Sequence, residues 1–190
     1  KKVRALLDEK GLNYVKIFAS GDLDEYKIED LLRKGARIDA FGVGTRMSTS
    51  EDRPYVDVIY KLCEKMDKTD KFVPAMKLSK GKITLPGRKQ VFRIEDRRGN
   101  FVKDVIALDN EKVEGKPLLV KVIEKGEIVY DLPTLKAIRE RALENLSKLP
   151  EKYKGLKTTL PYPVELSPGL KKMINELTKE LKKVEVESLI

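Results

Sequence analysis

The chain has 190 residues, 40 Lys and Arg against 31 Asp and Glu, a net charge of +9, one cysteine and no histidine. These counts exclude an internal disulfide, a cysteine zinc site, and any His general base, phosphohistidine or His metal ligand. No apolar run approaches the roughly 20 residues that span a bilayer, and nothing at the start reads as a signal peptide, so a cytoplasmic location is expected.

Heavy Lys and Glu use tilts the composition toward a thermophile's protein. An apolar content of 41% is enough for a packed core. The positive charge fits nucleic acid, an acidic membrane or an anionic small substrate. Its densest stretches, Lys77 to Lys89 and Lys171 to Lys183, carry no interleaved aromatic platform. No nucleic-acid or membrane partner is therefore expected.

In chain order, Lys2 to Lys10 has helical spacing, with Val3, Leu6 and Leu7 on one face and Gly11 closing it. The first residue is Lys, and the helix starts without a cap. The chain is therefore expected to continue upstream, as the C-terminal part of something longer. Tyr14 to Ala19 reads as a buried strand emptying into Ser20-Gly21-Asp22-Leu23-Asp24. Asp24 is a natural N-cap for a helix over Glu25 to Lys34, with Gly35 past its end. Ile38 to Phe41 is a second strand, emptying into Gly42-Val43-Gly44-Thr45. This β/α alternation predicts a parallel sheet with both glycine loops at one edge.

Arg46 to Pro54 is polar and reads as a loop. Val56, Val58, Tyr60 and Leu62 alternate with Tyr55, Asp57, Ile59 and Lys61, which predicts a strand with one drier face. Cys63, at the end of that run, reads as a buried structural thiol. Turns follow at Lys80-Gly81-Lys82 and Leu85-Pro86-Gly87-Arg88. Val91 to Ile94 and Phe101 to Ile106 flank Arg97-Arg98-Gly99-Asn100 as a hairpin, and Leu118 to Ile123 and Glu127 to Tyr130 flank Lys125-Gly126 as another. The middle of the chain thus reads as antiparallel β. Thr134 to Leu149 is helical and stops at Pro150. Glu151 to Glu165 is irregular. Ser167 and Pro168 open an amphipathic helix running to about Lys183.

The paired loops are the strongest chemical signal. Phosphate needs converging N–H donors, and glycines let backbone amides approach it with no Cβ in the way. Gly42, Gly44 and Thr45 offer amides and a hydroxyl; Ser20, Gly21 and Asp22 add amides, a hydroxyl and a carboxylate suited to sugar hydroxyls. Taken alone, turn glycines after strands remain an alternative. The basic stretch Lys77 to Arg93 suits an anionic ligand or a pair of solvated turns.

These residues resemble a known family. Ile17-Phe18-Ala19-Ser20-Gly21-Asp22-Leu23-Asp24-Glu25, Phe41-Gly42-Val43-Gly44-Thr45, Tyr60-Lys61-Leu62, and Lys77-Leu78-Ser79 through Leu85-Pro86-Gly87-Arg88-Lys89-Gln90-Val91 to Arg93 resemble the C-terminal half of nicotinate phosphoribosyltransferases. The likeness covers most of Leu12 to about Arg98; beyond Ile106 it rests on length and order. It implies formation of nicotinate mononucleotide and pyrophosphate from nicotinate and phosphoribosyl pyrophosphate, in NAD salvage, coupled to ATP and assisted by Mg²⁺. The implied fold is α/β: the last strands of an irregular type II β/α barrel over 1–54, an antiparallel β module over 55–131, and C-terminal helices over 132–190. Members are oligomers.

By this resemblance, Gly42, Gly44 and Thr45 hold the ribose 5-phosphate, with Ser20, Gly21 and Asp22 against phosphate and ribose. Lys89 and Arg93 are candidate basic contacts. The family's phosphorylated histidine has no counterpart, and its nicotinate-holding arginine and stacking aromatic lie in regions upstream, so this chain is not expected to catalyse alone. Arg46 stands where the family pattern leads one to expect a smaller residue. A quinolinate or nicotinamide phosphoribosyltransferase is the nearest enzymatic alternative. A basic module binding RNA or a protein is the alternative of another class.

Overall fold

The computed structural model describes residues 1–55, 57–79, 83–157 and 160–187. The chain divides into two compact units, Lys1–Ile59 and Tyr60–Ile190. No helix among the described residues is long and apolar enough to cross a membrane.

In the first unit, α1 (Lys2–Glu9) and α2 (Glu25–Arg33) end alike. Gly11 (φ +71) and Gly35 (φ +70) each follow the helix in the left-handed region. The Gly11 and Leu12 amides bond the Asp8 and Leu7 carbonyls, and the Gly35 and Ala36 amides bond those of Leu32 and Leu31. That is the Schellman arrangement, which a residue without a Cβ enters at least cost. The Asp24 carboxylate accepts from the Lys27 amide at 2.7 Å and caps α2. Strands β1 (Phe18–Ser20) and β2 (Ala40–Gly42) pair in parallel, Phe18 with Ala40 and Ser20 with Gly42.

Two local expectations change. The first strand is only three residues long, and its Phe18 is exposed, as is Tyr14 before it. A two-stranded sheet has no neighbour to cover its faces, so apolar side chains stay in solvent. Thr45–Thr49, read as loop, forms a short helix, α3. Its Ser48 and Thr49 hydroxyls turn inward to the Thr45 carbonyl and satisfy locally the polarity that suggested a loop.

The second unit begins without the strand that the alternation around Tyr60 predicts. Residues 57–63 are irregular; Val56 lies outside the described residues. Val58, Ile59, Tyr60 and Leu62 are all exposed, so the alternation has no sheet partner among the described residues to give it meaning. Cys63 is half-buried rather than buried. Its carbonyl accepts from the amides of Ala75 and Gly87, so its backbone ties this stretch together. β3 (Glu64–Met66) and β4 (Phe72–Pro74) form a small antiparallel pair. The turn assigned to Lys80-Gly81-Lys82 lies outside the described residues, and the second turn is a bend at Gly87.

The main sheet has the order β10–β6–β5–β7, from β5 (Lys89–Glu95), β6 (Phe101–Leu108), β7 (Lys116–Pro117) and β10 (Val164–Leu166). The β5–β6 hairpin forms as expected. Asp96 accepts from the Arg98 and Asn100 amides, and Gly99 takes φ +80. The second hairpin is reduced to β8 (Ile123–Glu124) and β9 (Glu127–Ile128), turning at Lys125 and Gly126.

β10 begins within the stretch read as irregular, at Val164, and ends one residue beyond it. It pairs parallel to β6, Val164 with Asp104 and Leu166 with Ile106, so the sheet is mixed rather than antiparallel. Flanking prolines and a three-residue length hide such a strand from periodicity. α4 (Leu135–Lys148) is capped by Thr134, and a single 3₁₀ turn (Glu151–Tyr153) follows Pro150. α5 (Pro168–Glu187) packs on β6, and its Leu170 is buried along with Phe101 and Ala107 of that strand.

Candidate functional site

The parallel register of β1 and β2 sets Ser20 beside Gly42 and sends both following loops off the same sheet edge. Side-chain crowding explains the first glycine of the second loop. A Cβ on Gly42 would lie 2.9 Å from the Phe18 ring and 3.2 Å from the Ser20 Cβ, so glycine lets the two strand ends close together. Beside Gly44 the space is open, with nothing within 4 Å of a Cβ built there.

Between the loops lies a cleft of 610 Å³ lined by Ser20, Gly21, Asp22, Gly42, Gly44 and Thr45, together with Leu23, Val43, Arg46 and Glu51. All six residues expected to bind ribose phosphate therefore meet in one cavity. Leu23 is buried beneath the first loop while Ser20, Gly21 and Asp22 stay exposed, so one apolar anchor fixes a polar loop. In α3 the first backbone bonds run from Met47 and Ser48 back to the Gly44 carbonyl. The amides ahead of them, on Thr45 and Arg46, have no partner inside the helix.

Electrostatics at the cleft rest on two ion pairs. Lys27 Nζ lies 2.8 Å from the Asp22 carboxylate and also reaches the Asp22 carbonyl at 2.5 Å. Its hydrogen bond and charge, with a smaller contribution from Arg46, hold the Asp22 carboxyl below the usual range. Asp22 is therefore an ionised acceptor, in the left-handed region at φ +46. Arg46 Nε meets Glu51 at 2.8 Å. Sequence reading missed Lys27 and Glu51. The Asp22 to Lys27 step crosses a cap and Arg46 to Glu51 crosses a helix end, so neither pair has a helical repeat to betray it.

Lys89 and Arg93 lie in the second unit. Lys89 Nζ donates to the carbonyls of Leu85 (2.9 Å), Pro86 (3.3 Å) and Gly87. Arg93 sits opposite Asp104 in the β5–β6 register and holds it with two bonds of 2.9 Å, its guanidinium 4.4 Å from the Phe101 ring centre. Both cations are thus engaged within the sheet and its approach.

Among known proteins, residues 112–174 match the family model of the nicotinate phosphoribosyltransferase C-terminal domain. The nicotinate phosphoribosyltransferase of Bacillus subtilis is 36% identical over 193 residues, covering 88% of this chain and 39% of that protein. Nicotinate phosphoribosyltransferase pncB2 of Mycobacterium tuberculosis is 40% identical over 169 residues, covering 88% of this chain and 35% of that protein. The crystal structure of human nicotinic acid phosphoribosyltransferase superposes with a TM-score of 0.64 at 23% identity, over 94% of this chain and 36% of that one, and shares its fold. The chain spans less than two fifths of the length of these relatives. The matched C-terminal domain falls beyond Ile106, where sequence reading found only length and order. Over 88% of its length the chain is similar to nicotinate phosphoribosyltransferases, and at residues 112–174 it carries the C-terminal domain of that family.

Proposed function

We propose that this chain is the part of a nicotinate phosphoribosyltransferase that holds the ribose phosphate while nicotinate mononucleotide and pyrophosphate form from nicotinate and phosphoribosyl pyrophosphate. The observation that carries the reading is the single cleft lined by Ser20, Gly21, Asp22, Gly42, Gly44 and Thr45 in a chain similar to these enzymes. The Thr45 and Arg46 amides and the Thr45 hydroxyl donate to phosphate oxygens. Ionised Asp22 accepts from ribose hydroxyls. Loss of pyrophosphate builds positive charge at the anomeric carbon, and these residues serve the step by fixing that carbon in place.

The parallel β1–β2 pair supports the end of a type II β/α barrel over residues 1–54, whose other strands come from the rest of the enzyme; 55–131 is the β module, and 132–190 holds the C-terminal helices together with Val164–Leu166, which joins the module's sheet. Nicotinate, ATP and a second subunit engage residues outside the cleft, and the enzyme works in the cytoplasm as an oligomer. Lys89, whose ammonium is held by neutral carbonyls, contributes positive potential rather than a direct contact, and the charge of Arg93 is offset by Asp104. Mg²⁺ does not fit a protein cage here: no group of three or more ligating side chains exists among the described residues. The ion suits the pyrophosphate oxygens, as hard-cation chemistry favours, and no step is drawn through it.

Calorimetric titration with ribose 5-phosphate tests the reading. Thr45→Val removes one hydroxyl donor at nearly constant shape and is expected to weaken binding about three- to tenfold, the worth of one hydrogen bond. Equal affinity in the two proteins removes Thr45 from the site, and no binding by the native chain removes the site itself.

A further inference from the structure

Both cations beside the cleft already hold a carboxylate, Lys27 with Asp22 and Arg46 with Glu51. The formal charges of these four residues cancel. A phosphate dianion entering the cleft meets no net positive charge from them, and it gains a charge-assisted partner only if one pair opens.

The two pairs are unequally held. Lys27 grips the Asp22 carbonyl as well as its carboxylate, and Asp24 receives its backbone amide. Arg46 Nε lies 2.8 Å from Glu51 Oε2, and both side chains are exposed, at 41% and 48%. Glu51 reaches Arg46 because Ser50 takes the left-handed conformation, φ +47, and folds the chain back over the end of α3. A non-glycine residue adopts that conformation at a cost, so the fold-back is held against a local preference. Arg46 and Glu51 both line the cleft.

Resting on the ribose-phosphate reading of this cleft, we propose that Glu51 is a stand-in for the substrate's phosphate, holding Arg46 until a phosphate monoester displaces it and takes the guanidinium. Arg46 is then a specificity residue. A singly charged ligand that replaces one carboxylate by another gains little, whereas a dianion gains a full additional charge and more acceptor oxygens.

The test is calorimetric titration of ribose 5-phosphate into the full chain, with Glu51→Gln, Arg46→Gln and the double variant. Removing the competitor is expected to tighten binding about two- to fivefold, the strength of an exposed ion pair. Arg46→Gln is expected to weaken binding, and in that background Glu51→Gln is expected to give a smaller gain. A gain at least as large without Arg46 means that Glu51 only repels the ligand, and overturns the proposal. No gain in either background overturns it as well. A native chain that binds no ribose 5-phosphate overturns the site reading first, a distinct outcome. Should a variant fail to fold, the Arg46 Nε–H resonance of the native chain decides: a shift on adding ribose 5-phosphate supports displacement, and an unmoved resonance overturns it.

Discussion

Glu111 accepts hydrogen bonds from the Ser167 hydroxyl, the Leu108 amide at 2.8 Å and the Gly169 amide at 2.9 Å. Ser167 in turn accepts from the Leu170 amide at 3.1 Å. One carboxylate thus ties the end of β6 to the first turn of α5. Partial burial works to raise its pKa, but the bonds from Ser167, Leu108 and Gly169 outweigh that and hold the carboxyl below the usual glutamate range. The unfolded chain therefore binds more protons here than the folded one as pH falls. Stability from this residue is complete above the ordinary glutamate pKa and is lost as pH drops through the lowered folded value. Glu111→Gln is expected to cost about 1–3 kcal/mol at neutral pH, as loss of a charged acceptor of partly buried donors does. Its unfolding midpoint should vary less than the native protein's on acidification, and parallel pH profiles would refute the role. Gly169 belongs to the same contact, because a Cβ there would lie 2.5 Å from Glu111 Oε1. The cap at Ser167 and Pro168 is legible in the sequence; Glu111, 56 residues earlier, is not, since only folding brings it there.

At the scale of elements, caps and stops carried most of the correct reading. Asp24, Gly35, Thr134 and Pro150 each lie at a helix boundary where local chemistry put them. Those signals act within four or five residues and need no tertiary partner. Asp24→Ala is expected to destabilise the first unit by about 1 kcal/mol, read as a lower denaturant midpoint at unchanged slope, and an unmoved midpoint would show the cap to be dispensable. Strands fared differently. The alternation around Tyr60 is clean, yet the segment is irregular; Val164–Leu166 has no such pattern, yet pairs with β6. A strand exists only where a neighbouring edge accepts it, and that neighbour lies far away in sequence.

Across the molecule, the two units differ in how much backbone they lock. The first has one pair of three-residue strands, and the second a four-stranded sheet with α5 against β6. Small sheets open more easily, so amide hydrogen exchange is expected to be faster over Phe18–Ser20 and Ala40–Gly42 than over Val91–Ile94 and Phe101–Ala107. Equal protection in the two sets would show that the first unit is held by more than its own strands. The candidate cleft is a product of this scale too. Glycine spacing and β/α alternation were enough to predict two loops at one sheet edge, because they are local properties that survive any packing. The register of Ser20 against Gly42 joined the loops into one cavity. The turns that follow also bring Lys27 onto Asp22 and Glu51 onto Arg46, two pairs whose formal charges cancel. By itself, the sequence determined helix ends, hairpin turns and the place of the glycine loops. Tertiary structure alone decided which strands pair and where Glu111 is spent, because those depend on contacts between residues far apart in sequence that no local preference couples.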